Sequence, residues 1–196
     1  MNTAIIPQIK RALKIVLPGW HHVYRRMKKR FVNLKPAEID LIVYDFDGVM
    51  TNNRVLIHQN GTEAVFVNRA DGLGVAMIKG KGIPQLILST ESNPVVEARA
   101  IKLGLPVIYN TDDKRTALES YCRMNAFDPS RVVYVGNDLN DKGAMEFSGI
   151  PIAPADAHPE ILHIARIVLH AIGGGGVVRE LADMILFSST SRKHYR

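Results

Sequence analysis

The segment IDLIVYDFDGVMT, residues 39–51, joins a β-prone apolar run to a loop that carries two aspartates. The run from Ile39 to Tyr44 predicts a buried strand, and Asp45 and Asp47 follow where that strand ends. Similar runs recur at residues 85–88, 106–109 and 131–135, with weaker ones at 150–153 and 167–169. Helical patterns separate them, at about residues 71–80, 94–103, 114–125, 141–148, 159–165 and 177–186. This alternation predicts an α/β fold, with a Rossmann-like central parallel sheet and helices on both faces.

One segment interrupts the alternation of strands and helices. Residues 55–58 and 64–67 are both β-prone, and Asn60-Gly61 lies between them. Asn-Gly between two such runs is a strong short-range signal for a hairpin. We therefore expect a β-hairpin flap after the first strand, too short to form a separate cap domain.

The composition of the chain excludes several classes of protein. Its 196 residues are 46% apolar and 22% charged, which is ordinary for one globular domain and excludes wholesale disorder. A single cysteine, Cys122, excludes a disulfide framework and a cysteine-rich zinc site. No apolar run approaches the ~18 residues of a membrane span, and no secretion signal is evident, so we expect a cytoplasmic protein.

The basic residues are concentrated at the start of the chain. Nine of the 25 Lys and Arg residues lie in residues 1–35, which contain no Asp or Glu, so the remaining 161 residues hold 16 basic and 19 acidic ones. We divide the chain into a basic amphipathic arm at 1–37, an α/β domain at 38–187 and a flexible tail at 188–196. The acidic body gives no reason to expect nucleic acid. The arm could contact an anionic membrane surface or a partner, but we favour packing on its own body or on a sister subunit.

Polar side chains follow four of the predicted strands, and parallel strand ends meet at the edge of a sheet where ligands bind. The four groups are Asp45 and Asp47, Ser89 to Glu91, Asp112 to Lys114, and Gly136 to Asp141. One carboxylate can attack phosphorus and a second can transfer the proton, while Mg²⁺ and a lysine neutralise the phosphate. The set therefore predicts phosphoryl transfer through an aspartyl-phosphate intermediate.

These residues resemble, in order, the four motifs of the haloacid dehalogenase superfamily: DFDGVMT at 45–51, Ser89, Lys114 and GNDLND at 136–141. The resemblance covers residues 39 to about 187 and leaves the arm outside. The hairpin and the stretches at 68–83 and 89–104 are similar to the capless phosphatases of 3-deoxy-2-keto sugar acids. That subfamily includes 3-deoxy-manno-octulosonate 8-phosphate phosphatases and nine-carbon, sialic-acid-type 9-phosphate phosphatases. A like domain is fused to acylneuraminate cytidylyltransferases.

The resemblance implies a catalytic role for four residues. Asp45 would be the nucleophile and a Mg²⁺ ligand, and Asp47 would be the general acid/base and give its backbone carbonyl to the metal. Ser89 and Lys114 would bind phosphate, and Lys114 would also orient Asp45.

The fourth motif departs from the commoner pattern of the superfamily. Asn137 stands where a metal-binding aspartate usually follows the glycine. Its amide oxygen could ligate Mg²⁺ as a neutral donor, or Asp138 or Asp141 could take that role.

The second motif carries information on the substrate. Ser89-Thr90-Glu91 is nearer the Ser-Gly-Glu of nine-carbon phosphatases than the Thr-Gly-Arg of octulosonate phosphatases. Glu91, Arg99 and Lys102 reproduce the spacing of three residues implicated in gripping the sugar acid in nine-carbon relatives. Arg99 and Lys102 share a helix face, so two cations could meet a substrate carboxylate; the alternative is a solvated face. Arg69 is a further candidate contact, and Arg179 would reach a neighbouring subunit's site.

A capless site needs closure from elsewhere, and the resemblance implies a homotetramer in which hairpins and tails of adjacent subunits supply it. We therefore expect a Mg²⁺-dependent phosphatase of a 3-deoxy-2-keto sugar acid phosphate, with a nine-carbon substrate favoured. One alternative is an octulosonate 8-phosphate phosphatase. The other is a weakly or non-catalytic oligomerisation or regulatory module that partners a cytidylyltransferase, an interpretation that Asn137 and the arm favour.

Overall fold

The computed structural model describes residues 34–187 of the chain. The predictions for the basic arm at 1–37 and for the tail at 188–196 fall outside this range, apart from residues 34–37. None of the helices within 34–187 is both long and apolar enough to cross a membrane.

The described residues contain eight strands, of which six form one parallel sheet. They are β1 (Leu41–Tyr44), β2 (Thr51–Ile57), β3 (Glu63–Val67), β4 (Gln85–Leu88), β5 (Val107–Ile108), β6 (Val132–Val135), β7 (Ile150–Ala153) and β8 (Ile167–Val168). The sheet has the order β5-β4-β1-β6-β7-β8, and β2 pairs only with β3. Because β1 lies between β4 and β6, the loops that follow these three strands open on one edge. The predicted parallel sheet is confirmed.

Six α-helices connect and flank the strands. They are α1 (Arg69–Lys79), α2 (Val95–Leu103), α3 (Lys114–Asn125), α4 (Lys142–Phe147), α5 (Pro159–Ile164) and α6 (Val177–Phe187). All six predicted helices are present, and each end lies within two residues of the predicted one. Short single turns add Pro36–Glu38, Pro129–Arg131 and Leu139–Asp141.

The two faces of β1 pack against different helices. On one face Leu41 belongs to a core cluster with Leu118 of α3. On the other face the Tyr44 hydroxyl donates to Gln85 Oε1 at 2.9 Å, and Gln85 Nε2 donates to the carbonyl of Val75 in α1 at 3.1 Å. Burial on both faces explains why β1 reads as a continuous apolar run rather than an alternating one.

The close packing of α1 on α6 depends on two residues of α1. A Cβ atom at Gly74 would lie 2.8 Å from the carbonyl oxygen of Val178, so only glycine allows this approach. Buried Asp71 accepts a hydrogen bond from the backbone N–H of Arg179 at 3.0 Å, while Asn68 caps α1 itself. Asp71 therefore caps the neighbouring helix, and it fixes the chain that leaves the hairpin.

Strands β2 and β3 form the predicted hairpin, which projects beside the sheet. They pair antiparallel, and Gly61 in the connecting turn has a φ of +80°. Thr51 pairs with Val67 and Val55 with Val65, so two extra residues of β2 form a bulge between these pairs. Several apolar side chains of the hairpin are exposed, namely Val55, Leu56, Ile57, Phe66 and Val67.

Candidate active site

A cleft of ≈ 310 Å³ opens where β1, β4 and β6 end. Eight polar residues line it: Asp45, Asp47, Asn53, Ser89, Thr90, Asn137, Asp138 and Asn140. The strand ends that the sequence singled out after β1, β4 and β6 therefore do converge. The loop after β5 contributes to the same region through Lys114, which lies at the start of α3 beneath the cleft.

The loop after β1 holds both predicted aspartates in fixed orientations. Asp45 accepts a hydrogen bond from the backbone N–H of Phe46 at 2.7 Å. Asp47 accepts one from the hydroxyl of Thr51 at 3.0 Å. Gly48 between them has a φ of +76°, and the side chain of Asn137 occupies the space that a Cβ atom would need. The glycine of the Asp-Phe-Asp-Gly segment is thus required by backbone conformation and by contact.

Lys114 bridges two buried carboxylates. Its Nζ donates to Asp45 Oδ1 at 2.6 Å and to Asp141 Oδ1 at 2.7 Å. All three side chains are at least 95% buried. These three residues lie far apart in the sequence, and the sheet brings them into one charge cluster with two negative charges and one positive charge.

Asp141 has its hydrogen-bonding capacity fully used. Its Oδ1 accepts from Lys114 and from the Tyr134 hydroxyl at 2.9 Å. Its Oδ2 accepts from the backbone N–H groups of Asn137 at 2.8 Å and Asp138 at 3.3 Å. A carboxylate offers about four lone-pair positions, so Asp141 is engaged in holding the loop and Lys114.

Burial sets the electrostatics of the cluster. Burial and the charge of Asp141 raise the pKa of Asp45 well above that of an ordinary aspartate, although Lys114 lowers it. Burial lowers the pKa of Lys114, but the two carboxylates outweigh this effect and raise it above the ordinary value. Lys114 therefore remains a cation at neutral pH. Burial also raises the pKa of Asp47, against a lowering by the Thr51 hydrogen bond.

The donor atoms near Asn137 fit a small divalent cation. The outer atom of its carboxamide that faces the cleft lies 2.9 Å from the carbonyl oxygen of Asp47 and 3.0 Å from Asp45 Oδ2. If this atom is the amide nitrogen, it donates hydrogen bonds to the Asp47 carbonyl oxygen and to Asp45 Oδ2. If it is the amide oxygen, it forms a group of three neighbouring oxygens with them. Neighbouring ligands of an octahedral Mg²⁺ with bonds of about 2.0–2.1 Å are roughly 2.9 Å apart, which matches this spacing.

The candidate metal ligands are oxygens of different chemical groups, and Mg²⁺ accepts oxygen ligands of several kinds. Among residues 34–187 no cluster of three or more His, Cys, Asp or Glu side chains has the arrangement of a metal site. The candidate donors are instead one carboxylate oxygen, one backbone carbonyl and one amide. Asp138 is exposed, and its Oδ1 accepts from the backbone N–H of Leu139 at 2.7 Å at the cleft margin.

Two hydroxyl residues form the β4 side of the cleft. Ser89 is buried, and its Oγ accepts from the backbone N–H of Glu91 at 3.1 Å. Thr90 accepts from Asn140 Nδ2 at 3.3 Å, a contact that joins the loops after β4 and β6.

The five predicted substrate contacts do not line the cleft. Glu91 accepts from two backbone N–H groups of its own loop, and its charge contributes to the raised pKa of Asp47. Arg99 donates to the carbonyl of Asn68 at 3.0 Å, and Arg179 pairs with Asp183 on its own helix at 3.0 Å. The other two, Arg69 and Lys102, are exposed. Within residues 34–187 the cleft lining therefore contains Asp45, Asp47, Ser89 and Asn137 but none of these five residues.

Sequence reasoning missed two residues of the site. Tyr134 reads as an ordinary strand residue in RVVYV, yet its hydroxyl meets Asp141. Asn53 lies in a β-prone run with no motif, yet it lines the cleft. No local sequence signal identifies either residue, because their roles depend on contacts between distant segments.

The comparisons with known proteins identify the family of the chain. A family model of haloacid dehalogenase-like hydrolases matches residues 102–181. The 3-deoxy-D-manno-octulosonate 8-phosphate phosphatase of Salmonella typhi is 34% identical over 158 residues, 80% of this chain and 84% of that protein. N-acylneuraminate cytidylyltransferase A of Danio rerio is 29% identical over 81% of this chain, which corresponds to 37% of that longer protein.

Solved structures give the same result. A HAD family hydrolase from Streptomyces avermitilis is 46% identical with a TM-score of 0.78, covering 81% of this chain and 91% of that one. The 3-deoxy-D-manno-octulosonate 8-phosphate phosphatase from Moraxella catarrhalis, in complex with magnesium ion, phosphate ion and a KDO molecule, is 30% identical with a TM-score of 0.75. That match covers 78% of this chain and 88% of the Moraxella chain.

Fold, strand-end residues and relatives together define a class: the chain belongs to the haloacid dehalogenase-like hydrolases and is a phosphoric monoester hydrolase. Several relatives carry the name 3-deoxy-D-manno-octulosonate 8-phosphate phosphatase, so the predicted resemblance to sugar acid phosphatases is confirmed. The predicted divalent cofactor, Mg²⁺, is confirmed at the level of this family.

Proposed function

We propose that the chain hydrolyses the phosphate ester of a 3-deoxy-2-keto sugar acid, with an eight-carbon 8-phosphate as the first candidate. The observation that carries the proposal is the buried pairing of Lys114 with Asp45 and Asp141 beside the oxygens around Asn137. The named phosphatase relatives support the eight-carbon substrate, so they favour the alternative over the nine-carbon substrate that the Ser89-Thr90-Glu91 triplet led us to prefer.

The first half of the reaction transfers the phosphoryl group to Asp45. A carboxylate oxygen of Asp45 forms a bond to phosphorus, and the bond from phosphorus to the sugar oxygen breaks. Asp47 gives its proton to that leaving oxygen. Burial raises the pKa of Asp47, which increases the protonated fraction that can act as the acid.

The second half regenerates the enzyme. Asp47, now a carboxylate, takes a proton from water as the water oxygen bonds to phosphorus. The bond between phosphorus and Asp45 breaks, and inorganic phosphate leaves. Lys114, whose Nζ lies 2.6 Å from Asp45 Oδ1, orients Asp45 and offsets phosphoryl charge, while Ser89 donates its hydroxyl to a phosphate oxygen.

The residues that would hold the metal are Asp45 through Oδ2, Asp47 through its carbonyl and Asn137 through its amide oxygen. A bound Mg²⁺ would supply positive charge for the phosphoryl oxygens and for the excess carboxylate of the buried cluster. Asp141, with all its positions used, is better suited to hold Lys114. Asp138, exposed at the cleft margin, suits a contact through water.

We further propose that recognition of the sugar acid is completed by a homotetramer. Isolated two-stranded hairpins are marginal in water, and this one exposes Ile57 and Phe66 by 68% and 71%. Burial of these side chains against sister subunits would bring neighbouring chains to the cleft. Glu91, Arg99, Lys102, Arg69 and Arg179 remain the candidate contacts for the sugar acid in that assembly.

A nine-carbon 9-phosphate is the second candidate substrate. The similarity to an N-acylneuraminate cytidylyltransferase of Danio rerio favours it, together with the acidic Glu91 beside Ser89. Both candidates share the 2-keto acid end and differ in the length of the chain that carries the phosphate.

The test is a phosphate-release assay with 3-deoxy-D-manno-octulosonate 8-phosphate and with a nine-carbon 2-keto sugar acid 9-phosphate, each with and without Mg²⁺. We expect Mg²⁺-dependent release that is faster for the eight-carbon ester and that Asp45→Asn lowers by at least about 10³-fold, since the nucleophile is lost. Asp112→Asn, an exposed aspartate outside the cleft lining, is the matched control and should retain full activity. Failure of the wild type to release phosphate from either ester would refute the proposal.

A further inference from the structure

Asn53 has a backbone conformation that side chains rarely adopt. Its φ is +60°, and only three non-glycine residues within 34–187 have a positive φ: Asn53, Asn110 and Ala126. Asparagine tolerates this left-handed conformation better than most residues, and glycine tolerates it best. Such outliers tend to occur where the surrounding structure imposes them for a purpose.

The bulge of β2 is what imposes this conformation. Asn53 lies among the residues between Thr51 and Val55 that have no register partner in β3. Its backbone N–H donates to Thr51 Oγ1 at 3.2 Å, and the same hydroxyl donates to Asp47 Oδ1 at 3.0 Å. The bulge therefore ties the position of Asn53 to that of the proposed acid.

Asn53 lies at the cleft, and its side-chain amide has no hydrogen-bond partner among residues 34–187. It lines the cleft together with Asp45, Asp47 and Ser89. Its carboxamide makes no hydrogen bond to any other residue of 34–187, whereas the neighbouring Asn52 uses its Oδ1 to accept from the Arg54 N–H at 3.2 Å. An exposed amide at the mouth of a catalytic cleft can both donate and accept.

We infer that Asn53 is a substrate-contacting residue that binds the leaving sugar acid next to the ester oxygen; this inference rests on the proposed function. The cleft already contains the carboxylates of Asp45, Asp47 and Asp138, so a neutral amide adds a donor for hydroxyl or carboxylate oxygens without further repulsion of an anionic substrate. In the proposed function the phosphoryl group itself is bound by Lys114 and Ser89.

If Asn53 were needed only for the backbone conformation of the bulge, its replacement by glycine would leave the kinetic constants unchanged. Glycine adopts a φ of +60° without strain, so Asn53→Gly keeps the bulge and removes only the amide. Asn110→Gly is the matched control, because Asn110 has a φ of +56° and lies outside the cleft lining. Both variants should have a thermal unfolding midpoint close to that of the wild type.

The experiment measures kcat and KM of the wild type and both variants with the eight-carbon sugar acid 8-phosphate and with acetyl phosphate, whose leaving group lacks the hydroxyl groups and the carbon chain of a sugar acid. For Asn53→Gly we expect KM for the sugar acid ester to rise roughly 5- to 20-fold with kcat within about twofold, and no change with acetyl phosphate. Asn110→Gly should match the wild type with both substrates.

Equal kinetic constants for Asn53→Gly and the wild type with the sugar acid ester would overturn this inference and leave the proposed function intact. An equal loss with acetyl phosphate would also overturn it, since that result would mean a general disturbance of the cleft rather than the loss of a contact with the sugar acid. No release by the wild type from the eight-carbon ester or from the nine-carbon ester would refute both the proposed function and the inference.

Discussion

The floor of the cleft, formed by Lys114, Asp45 and Asp141, differs in burial and pairing from the five predicted substrate contacts. On the floor Lys114, Asp45 and Asp141 are almost wholly buried and joined by contacts of 2.6 and 2.7 Å. Among the predicted substrate contacts, Arg69 and Lys102 are exposed, while Arg99 and Arg179 form hydrogen bonds to Asn68 and Asp183. The floor is formed within one chain, whereas the predicted substrate contacts are not among the residues that line the cleft.

This difference separates chemistry from recognition. Buried charges at short distance interact strongly and must be satisfied for the chain to fold, so the phosphoryl transfer that we propose depends on residues of the core. Exposed charges interact weakly and are screened by salt. Substitution of exposed residues such as Arg69 and Lys102 can therefore alter a substrate preference without loss of the fold. Three substitutions test this contrast.

Lys114→Met should have the largest effect. It leaves Asp45 and Asp141 as buried carboxylates without a counterion, which should lower the free energy of unfolding by about 3–5 kcal/mol and kcat by at least about 10³-fold. Lys142→Met is the control, because Lys142 is 42% exposed and pairs with Glu160 at 3.7 Å. Urea unfolding and phosphate release measure both effects. Equal behaviour of the two variants would mean that the floor is no more tightly coupled than the surface.

Asn137→Asp should have an intermediate effect: it should raise the affinity for Mg²⁺ and lower the stability of the metal-free protein. The added charge should tighten Mg²⁺ binding by roughly tenfold, about 1.4 kcal/mol, as measured by calorimetry. The same charge, 3.0 Å from Asp45 Oδ2, should lower the thermal midpoint of the metal-free protein, and Mg²⁺ should restore it.

The control for this substitution is Asn140→Asp, which adds a carboxylate at the cleft mouth, where Asn140 contacts Thr90. It should change Mg²⁺ affinity by less than about twofold, because an exposed charge is screened. If both variants tighten binding equally, Asn137 is not a donor to the metal.

Tyr134→Phe should have the smallest effect of the three. Loss of its hydrogen bond to Asp141 frees that carboxylate to draw Lys114 from Asp45, so kcat should fall by about 3- to 10-fold with KM unchanged. Tyr44→Phe is the control, since Tyr44 is equally buried but donates to Gln85 on the opposite face of the sheet. Both variants should lose similar stability, and a fall in kcat for both would show that the effect is only structural.

The sequence predicted the parts of the fold that depend on local pattern. The β-prone runs, the helical periodicity and Asn60-Gly61 predicted the six sheet strands, the six helices and the hairpin, because each depends on residues close together in the chain. The order β5-β4-β1-β6-β7-β8 was not predicted, because strand order depends on pairing between distant segments.

The candidate site divides in the same way. Asp45, Asp47, Ser89 and Asn137 are found from the sequence because each directly follows a strand, and the cleft they line lies where parallel strands end. Arg99 and Lys102 were predicted to share one helix face, and their spacing does not tell whether Arg99 turns to a substrate or to the carbonyl of Asn68.

By itself the sequence determined the order and type of the elements, the acidic and basic groups at the strand ends and hence the class of reaction. Only the tertiary structure decided that the Tyr134 hydroxyl donates to Asp141, that Asn53 lines the cleft and that Arg179 pairs with Asp183. The physical reason is that a residue's type and its place on a strand or helix are properties of the local chain. The direction and partners of its side chain depend on packing between segments that meet only after folding.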